Sequence, residues 1–331
     1  MQALVLNGVD QPFQLKEVPK PVLKIGEVLV KIKAAAFNRR DYWITKGQYA
    51  GLKFPIILGS DGSGIVAEVF DKTEEHWINQ EVVIHPGNNW GDNPNFQGAE
   101  FKILGLPDNG TFAEFVKVNV KNVHPKPAHL NFEQAAAFPL AGLTAYRALF
   151  TKAALQKSDK VLIVGVGGGA ATFALQWALA FGADVYVTSS SEEKIKKAVE
   201  LGAKGGVKYT TENWDQQLKE LSNGIDVIID SAVGEGFAKH LTYINAGGRI
   251  VFFGATAGNI PELNSRIIFW KQLQILGTTM GTDAEFKAML HFISQHQIMP
   301  LIDQVFSFEE ANEAISLMKN SSQFGKIVLT R

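Results

Sequence analysis

The strongest constraint on the fold is an alternation of strand and helix patterns between residues 160 and 254. Runs rich in Val and Ile alternate with helical stretches, several of which end at glycine. Such an alternation implies right-handed crossovers and a parallel sheet covered by helices on both faces. The strand-like runs are 160–165, 184–189, 205–209, 226–231 and 249–254. The sequence therefore predicts an α/β fold built on a doubly wound parallel sheet.

A glycine turn joins the first of these strands to its helix in "KVLIVGVGGGAATFALQWALAFG" (160–182). Gly165, Gly167 and Ala170 fill the G-x-G-x-x-G/A pattern, which allows a tight turn, a close backbone approach to a pyrophosphate and close helix–strand packing. The helix start at Gly168 and Gly169 then offers free N–H groups to phosphate. We predict a Rossmann-type dinucleotide site here; the alternative is a tight turn without a ligand.

The end of the second strand, "VTSSSEEK" (187–194), bears on the choice of dinucleotide. NAD-binding proteins place a carboxylate there for the ribose 2′-OH, whereas this chain has Ser189. We predict that Ser189, Ser190, Ser191 and Lys194 bind a 2′-phosphate, so that the cofactor is NADPH. The alternative is that the serines cap a helix whose first turn carries two glutamates, and both interpretations are compatible.

Further cofactor contacts are predicted from their positions after the strands, because ligands of open α/β sheets lie at the carboxyl ends. Tyr209 ends the third strand and is expected near the 2′-phosphate. The remaining predicted contacts are Ser231, Val233, Phe253, Gly254, Thr256, Gly277 and Thr278.

The rest of the chain does not show the alternation of strands and helices. Residues 1–125 consist of short strand-like segments separated by Pro, Gly, Asn and Asp, with a long polar excursion at 86–110. A helical, Ala-rich stretch follows at 131–153, with a break expected at Pro139. We predict two domains: a β-rich one at 1–125 with 265–331, and the dinucleotide-binding one at 126–264.

Composition excludes several classes of protein. The chain of 331 residues has a net charge of −1 without basic clusters, which argues against nucleic acid and anionic membranes as partners. No apolar run is long enough to span a bilayer and no signal peptide is visible, so we expect a cytoplasmic protein. There is no cysteine, and none of the seven histidines forms a paired motif, so no metal site is predicted.

Several motifs together resemble the medium-chain dehydrogenase/reductase superfamily, and the zinc-free, quinone oxidoreductase-like branch most of all. The resemblance covers the whole chain and implies that the β-rich domain is GroES-like and catalytic. It also implies that Thr144 faces the cofactor phosphates and that the edge strand at 273–279 pairs two subunits into a homodimer. Lys326 near the C-terminus is predicted from its position to close over the nicotinamide side of the cofactor. The matching segments are 34–49, 57–66, 110–116, 140–149, 164–176, 226–234, 247–254 and 325–330.

The same resemblance bears on zinc. Motif alignment with the zinc alcohol dehydrogenases of the superfamily places their Cys, His and Cys ligands at Asn38, Ser60 and Leu140. All three ligands are missing. The second glycine-rich stretch, "ILGSDGSGIV" (57–66), is followed by a strand pattern and not by a helix, so it is not predicted to bind phosphate. The resemblance implies that it is the turn in which the zinc enzymes have their histidine ligand, and this chain has Ser60 at that position.

Without a metal, an already electrophilic acceptor is the substrate that this scaffold is expected to reduce. We predict that Asn38 and Tyr49 donate hydrogen bonds to the developing oxyanion, although Asn38 in a turn and Tyr49 as a loop aromatic are the alternatives. Arg39, Arg40 and Asp41 are expected to form a structural ion-pair cluster. The predicted function is NADPH-dependent reduction of a quinone or an α,β-unsaturated carbonyl. A metal-free alcohol/aldehyde or enoyl-thioester reductase and a non-catalytic NADPH-binding relative are the alternatives.

Overall fold

The computed structural model describes residues 1–331 and contains two compact units. We call Met1–Leu143 with Gly281–Arg331 the β-rich unit, and Thr144–Met280 the parallel-sheet unit. The predicted boundaries, 125/126 and 264/265, lie earlier in the chain. They differ because the helix at 132–137 packs on strands of the β-rich unit, and the strand at 274–277 pairs within the parallel sheet.

The parallel-sheet unit contains six strands, numbered here in chain order over the whole molecule. The strands are β11 (Lys160–Ile163), β12 (Asp184–Ser189), β13 (Gly205–Lys208), β14 (Ile225–Asp230), β15 (Ile244–Phe252) and β16 (Gln274–Gly277). Their order is β13-β12-β11-β14-β15-β16 and every pairing is parallel, which confirms the predicted doubly wound sheet. The helices are α4 (Gly169–Phe181), α5 (Glu192–Glu200), α6 (Trp214–Ser222), α7 (His240–Tyr243) and α8 (Ser265–Trp270).

One helix is shorter than its pattern predicts. The stretch 235–248 forms a 3₁₀ turn at Glu235–Lys239 and a single turn, α7, before β15 begins at Ile244. Ile244 is buried and pairs with Ile225 of β14, so sheet pairing takes over residues that have a helical pattern.

The β-rich unit is built on a seven-stranded sheet of order β10-β6-β5-β3-β18-β17, with β9 also paired to β3. A three-stranded sheet of order β2-β1-β4 and a two-stranded β7-β8 pair, which lies in the polar excursion, complete it. The strands are β1 (Gln2–Leu6), β2 (Gln14–Glu17), β3 (Glu27–Ala36), β4 (Ile56–Ile57), β5 (Asp61–Val69), β6 (Glu81–Ile84), β7 (Gly87–Asn88), β8 (Lys102–Ile103), β9 (Phe115–Asn119), β10 (Val123–Pro125), β17 (Ile302–Ser307) and β18 (Lys326–Thr330).

The remaining helices begin and end where the sequence provides signals. Asn131 caps α2 in a capping box, and α3 starts at Pro139, where the break was predicted. None of the helices is long and apolar enough to cross a membrane. These helices are α1 (Arg39–Thr45), α2 (Phe132–Ala137), α3 (Pro139–Tyr146), α9 (Asp283–Gln295) and α10 (Ala311–Asn320).

Candidate functional site

The glycine turn between β11 and α4 has the geometry of a phosphate cradle. Gly165 and Gly167 have φ values of +68° and +134°, a region that favours glycine. The N–H of Gly165 donates to Thr188 Oγ1 at 3.1 Å, which ties the turn to the end of β12. A Cβ at Gly165 or Gly168 would meet no atom within 4 Å, and no side chain caps α4 at Gly168. The open space and the uncapped helix end fit a bound pyrophosphate better than a bare turn.

The three serines at the end of β12 have different environments and contacts. Ser189 is buried, and its hydroxyl donates to the Val166 carbonyl at 3.4 Å. Ser191 caps α5 by accepting from the Lys194 N–H, as the alternative interpretation of the serine run predicts. Ser190 is exposed, and Tyr209, 42% exposed, donates its N–H to the Ser189 carbonyl. The 2′-phosphate contacts of Ser190, Tyr209 and Lys194 stay a prediction.

The loop after β14 is held by a buried chain of polar side chains that sequence reasoning missed. Asp230 Oδ1 accepts from the N–H groups of Ala232 and Val233 at 2.7 and 2.9 Å, and Oδ2 lies 2.9 Å from His240 Nε2. His240 Nδ1 in turn meets the hydroxyl of Tyr243. Burial opposes ionisation of Asp230, but these hydrogen bonds outweigh it and lower its pKa. The carboxylate thus fixes the loop at Val233, whose φ is +60°.

The predicted contacts after β14, β15 and β16 come together at one end of the sheet. The Phe253 N–H donates to the Asp230 carbonyl, and the Thr278 N–H donates to the Phe252 carbonyl. A Cβ at Gly254 would lie 3.3 Å from the carbonyl oxygen of Ser231. Gly277 ends β16, next to β15 in the sheet. Of the other predicted contacts, Thr256 lies on an exposed loop and Thr144 is buried in α3. These are carboxyl ends of parallel strands, where a cofactor is expected.

A buried ionic network occupies the β-rich unit. Lys326 Nζ lies 2.7 Å from Asn38 Oδ1 and 3.0 Å from Asp61 Oδ2, and Asn38 Nδ2 donates to the same Asp61 oxygen at 2.9 Å. The three residues are at most 5% exposed. Strand register brings them together, because β18 and β5 both pair with β3, which ends just before Asn38. The ammonium of Lys326 thus takes part in this network, and its predicted contact with the cofactor stays a prediction.

A second buried cation lies beside Ser60. Arg40 Nη1 donates to Ser60 Oγ at 2.7 Å and to the Leu104 carbonyl at 3.0 Å, and its Nε donates to the Tyr49 hydroxyl at 3.3 Å. The guanidinium also lies 5.1 Å from the centre of the Tyr49 ring. Arg39, Arg40 and Asp41 do not form the predicted ion pairs within 4 Å, although the charge of Arg40 acts to lower the pKa of Asp41. Arg39 donates to the Met318 carbonyl and Ser321 Oγ, and Asp41 accepts the backbone N–H of Asn38.

Asp41 gives the β-rich unit a distinctive pH dependence. Burial raises the pKa of Asp41 from 3.8 to about 6, against the opposing effects of Arg40 and the Asn38 N–H. The folded chain therefore keeps this proton to higher pH than the unfolded chain, and the contribution of Asp41 to stability falls by roughly 3 kcal/mol as pH rises from about 4 to about 6. Asp41→Asn should make the slope of unfolding free energy against pH more positive across this range, as measured by urea unfolding; an unchanged slope would contradict the assignment.

A buried histidine pair in the same unit was also not predicted. His85 and His124 are 2% and 7% exposed and both pack against the ring of Phe286. Burial, with the His124 charge adding to it, lowers the pKa of His85 to about 3, and burial with Lys287 lowers the pKa of His124 to about 4. Asp283 lies 3.4 Å from His85 Nδ1 but is half-exposed, so burial prevails and the imidazole stays neutral.

The known proteins that this chain resembles are dehydrogenases and reductases, in agreement with its fold and its glycine turn. The zinc-binding dehydrogenase family matches residues 165–295, and the alcohol dehydrogenase GroES-like domain matches residues 24–128. The zinc-type alcohol dehydrogenase-like protein YogA of Leptosphaeria maculans is 35% identical, over 97% of this chain and 95% of that protein. A crystal structure of an NAD-dependent alcohol dehydrogenase matches with a TM-score of 0.94 and 35% identity over the whole of both chains. An acryloyl-coenzyme A reductase of Sulfurisphaera tokodaii is 28% identical over 99% of each chain.

The fold and the glycine turn define an oxidoreductase that binds a nicotinamide cofactor. The chain belongs to the medium-chain dehydrogenase/reductase superfamily, as its motifs predict, and its β-rich unit is the GroES-like domain of that superfamily.

The zinc in the names of these relatives can be tested against the residues present here. The three positions aligned with metal ligands hold an amide, a hydroxyl and an apolar side chain, at Asn38, Ser60 and Leu140. The first two already contact cations, Lys326 and Arg40, which would repel a divalent ion. No cluster of three or more His, Cys, Asp or Glu side chains is arranged for a metal. The residues do not fit a catalytic zinc ion.

Proposed function

We propose that this protein is an NADPH-dependent reductase that adds hydride to a quinone or an α,β-unsaturated carbonyl without a catalytic metal. One observation carries the proposal: the positions aligned with zinc ligands lie in a polar network that contains its own cations, Lys326 and Arg40. A saturated alcohol needs a Lewis acid or a base to lose its proton, whereas an activated acceptor needs only positioning and stabilisation of an oxyanion.

The residues of the β-rich unit provide suitable donors for that oxyanion. A bound nicotinamide supplies the hydride. Asn38 uses one N–H for Asp61, which leaves its second N–H for an acceptor. The Tyr49 hydroxyl accepts from Arg40, so its own proton is free to be donated. Both remain the proposed donors, and the final proton comes from water.

The relatives support different acceptors. The acryloyl-coenzyme A reductase is named for an enoyl thioester, and this makes enoyl-thioester reduction the second candidate. The matching NAD-dependent alcohol dehydrogenase keeps alcohol/aldehyde chemistry as a third. A non-catalytic NADPH-binding protein is the remaining alternative.

Steady-state NADPH oxidation with a 1,4-quinone, an enone, an enoyl thioester and a simple aldehyde separates these candidates. We expect kcat/KM for at least one activated acceptor to exceed that for the aldehyde by 100-fold or more. The aldehyde as the best substrate would overturn the proposal, and tight NADPH binding without turnover of any acceptor would favour the non-catalytic alternative.

The preference for NADPH has its own test. Lys194→Ala should raise the Kd for NADPH about tenfold and leave that for NADH nearly unchanged, because the ammonium is proposed to meet the 2′-phosphate. Lys196→Ala is the matched control, since Lys196 is an exposed lysine on the same helix, α5. If Lys194→Ala weakens the binding of NADPH and NADH equally, the result would argue against a 2′-phosphate contact.

The homodimer remains a proposal. β16 is an edge strand of the parallel sheet, and Phe269 and Trp270 just before it are 65% and 82% exposed. Edge pairing of two copies would cover both features. Light scattering should then give twice the 36.2 kDa chain mass, and a mass of one chain would contradict it.

A further inference from the structure

Arg40 is a buried cation that no carboxylate contacts within 4 Å. Its side chain is 7% exposed, yet all its hydrogen-bond acceptors are neutral: the Tyr49 hydroxyl, the Ser60 hydroxyl and the Leu104 carbonyl. No carboxylate oxygen lies within 4 Å of the guanidinium; in contrast, Lys326 is paired with Asp61. Asp41 is close enough for the charge of Arg40 to act on its carboxyl, but it does not contact the guanidinium. Buried charges in proteins are normally in contact with a partner, so a guanidinium that no carboxylate contacts can bind an anionic oxygen.

The unused part of the side chain is one edge of the guanidinium fork. Arginine has five N–H donors, and the three contacts at Nε and Nη1 account for three of them. Nη2 makes no hydrogen bond, and it is not among the fully enclosed polar atoms that lack a partner. The two N–H groups of Nη2 therefore have no acceptor within the protein.

The surroundings hold the guanidinium in place. Ser60 Oγ donates to the Leu104 carbonyl at 2.8 Å, so the two acceptors of Nη1 are fixed to each other. The Tyr49 ring lies against the cation and its hydroxyl accepts from Nε. A donor held in this way needs little reorganisation when negative charge develops, which is the requirement for an oxyanion site.

We infer that Nη2 of Arg40 binds the carbonyl oxygen of the acceptor and stabilises the negative charge that this oxygen acquires. The inference rests on the proposed function and names the acceptor class as a conjugated carbonyl. A bound reduced nicotinamide would supply the hydride and become oxidised. In an enone, the hydride would form a C–H bond at the β-carbon, and the shift of the C=C electrons would give an enolate whose oxygen carries negative charge at Nη2. The enolate would then take up a proton from water at the α-carbon.

A phenolate tests the site without turnover, because it presents a conjugated, anionic oxygen. We expect the wild-type protein with NADP⁺ to bind 4-nitrophenolate at least tenfold more tightly than Arg40→Gln, measured by the absorbance of the bound phenolate. Arg39→Gln is the matched control, since Arg39 contacts the Met318 carbonyl and Ser321, and its affinity should equal that of the wild type. Arg40→Lys keeps the charge without the fork and should lie between the two.

Enone reduction supplies the second readout. Arg40→Gln should lower kcat about 100-fold with little change in KM, and added guanidinium chloride at low concentration should restore part of it. Equal phenolate affinity in wild type and Arg40→Gln would overturn the inference, as would an unchanged kcat. If Arg40→Gln does not fold, Arg40→Lys takes its place. Wild-type affinity for phenolate together with wild-type kcat for the enone in Arg40→Lys would then overturn the inference.

The two proposals fail in different ways. Arg40-dependent phenolate binding in a protein that reduces none of the acceptors would leave the oxyanion site standing and remove the proposed function. Acceptor reduction that does not depend on Arg40 would keep the proposed function and remove the inference.

Discussion

Lys326→Met is expected to destabilise the protein by about 3–5 kcal/mol, the usual effect of removing one partner of a buried ion pair. The substitution keeps most of the side-chain volume but leaves the Asp61 carboxylate, which is fully buried, without its cation. It also removes the donor to Asn38 Oδ1. Equilibrium unfolding in urea measures the loss. Because burial already raises the pKa of Asp61, protonation can relieve part of the penalty, and the loss should be larger at pH 8 than at pH 5.

Lys117→Met is the matched control for this prediction. Lys117 pairs with Glu27 in the same unit at the same 3.0 Å, but both side chains are partly exposed. The expected loss there is at most about 1 kcal/mol. Equal losses at Lys326 and Lys117 would mean that the network of Asn38, Asp61 and Lys326 does not have the buried, ionic character described above.

Acidification should destabilise the protein strongly through His85. Burial lowers the pKa of His85 from its ordinary value of 6.5 to about 3. The unfolded chain therefore binds this proton at higher pH than the folded chain, so stability is fully present above pH 6.5 and is lost as pH falls towards 3. The shift corresponds to roughly 5 kcal/mol over that range. We expect His85→Asn to flatten the slope of unfolding free energy against pH between about 6.5 and 4.

The slope, not the absolute stability, decides this prediction, because the variant also loses packing against Phe286. His76→Asn, at an exposed histidine, should leave the slope unchanged. Asp41 acts in the opposite direction over the lower part of the same range, so Asp41→Asn should steepen the slope that His85→Asn flattens. An identical slope in the wild type and His85→Asn would show that His85 is not held neutral by burial.

Local sequence patterns were sufficient to predict the parallel sheet. Each strand and its following helix are encoded by adjacent residues, and the G-x-G-x-x-A turn has φ values at Gly165 and Gly167 that favour glycine. The break at Pro139 could also be predicted from local sequence, because proline interrupts a helix. The exception, at 235–248, is where sheet pairing by Ile244 overrides a helical pattern.

The ionic network could not be predicted in this way, because its members are distant in sequence. Lys326 and Asn38 are 288 residues apart, and only the antiparallel register of β18 on β3 brings them together. Arg40 looked like one member of a local charge cluster, yet its partners, Ser60 and Leu104, come from other segments. The sequence analysis assigned the segment 325–330 to the β-rich domain, but it could not show that this segment pairs with β3.

The central claim is that hydride transfer uses residues of the β-rich unit in place of zinc. The most direct measurement is kcat/KM for the best activated acceptor, compared among the purified protein, the protein dialysed against a strong chelator and the same protein resupplied with zinc. We predict that the three values agree within about twofold and that purified protein contains far less than one zinc ion per chain. Loss of activity on chelation, with recovery on addition of zinc, would contradict the account.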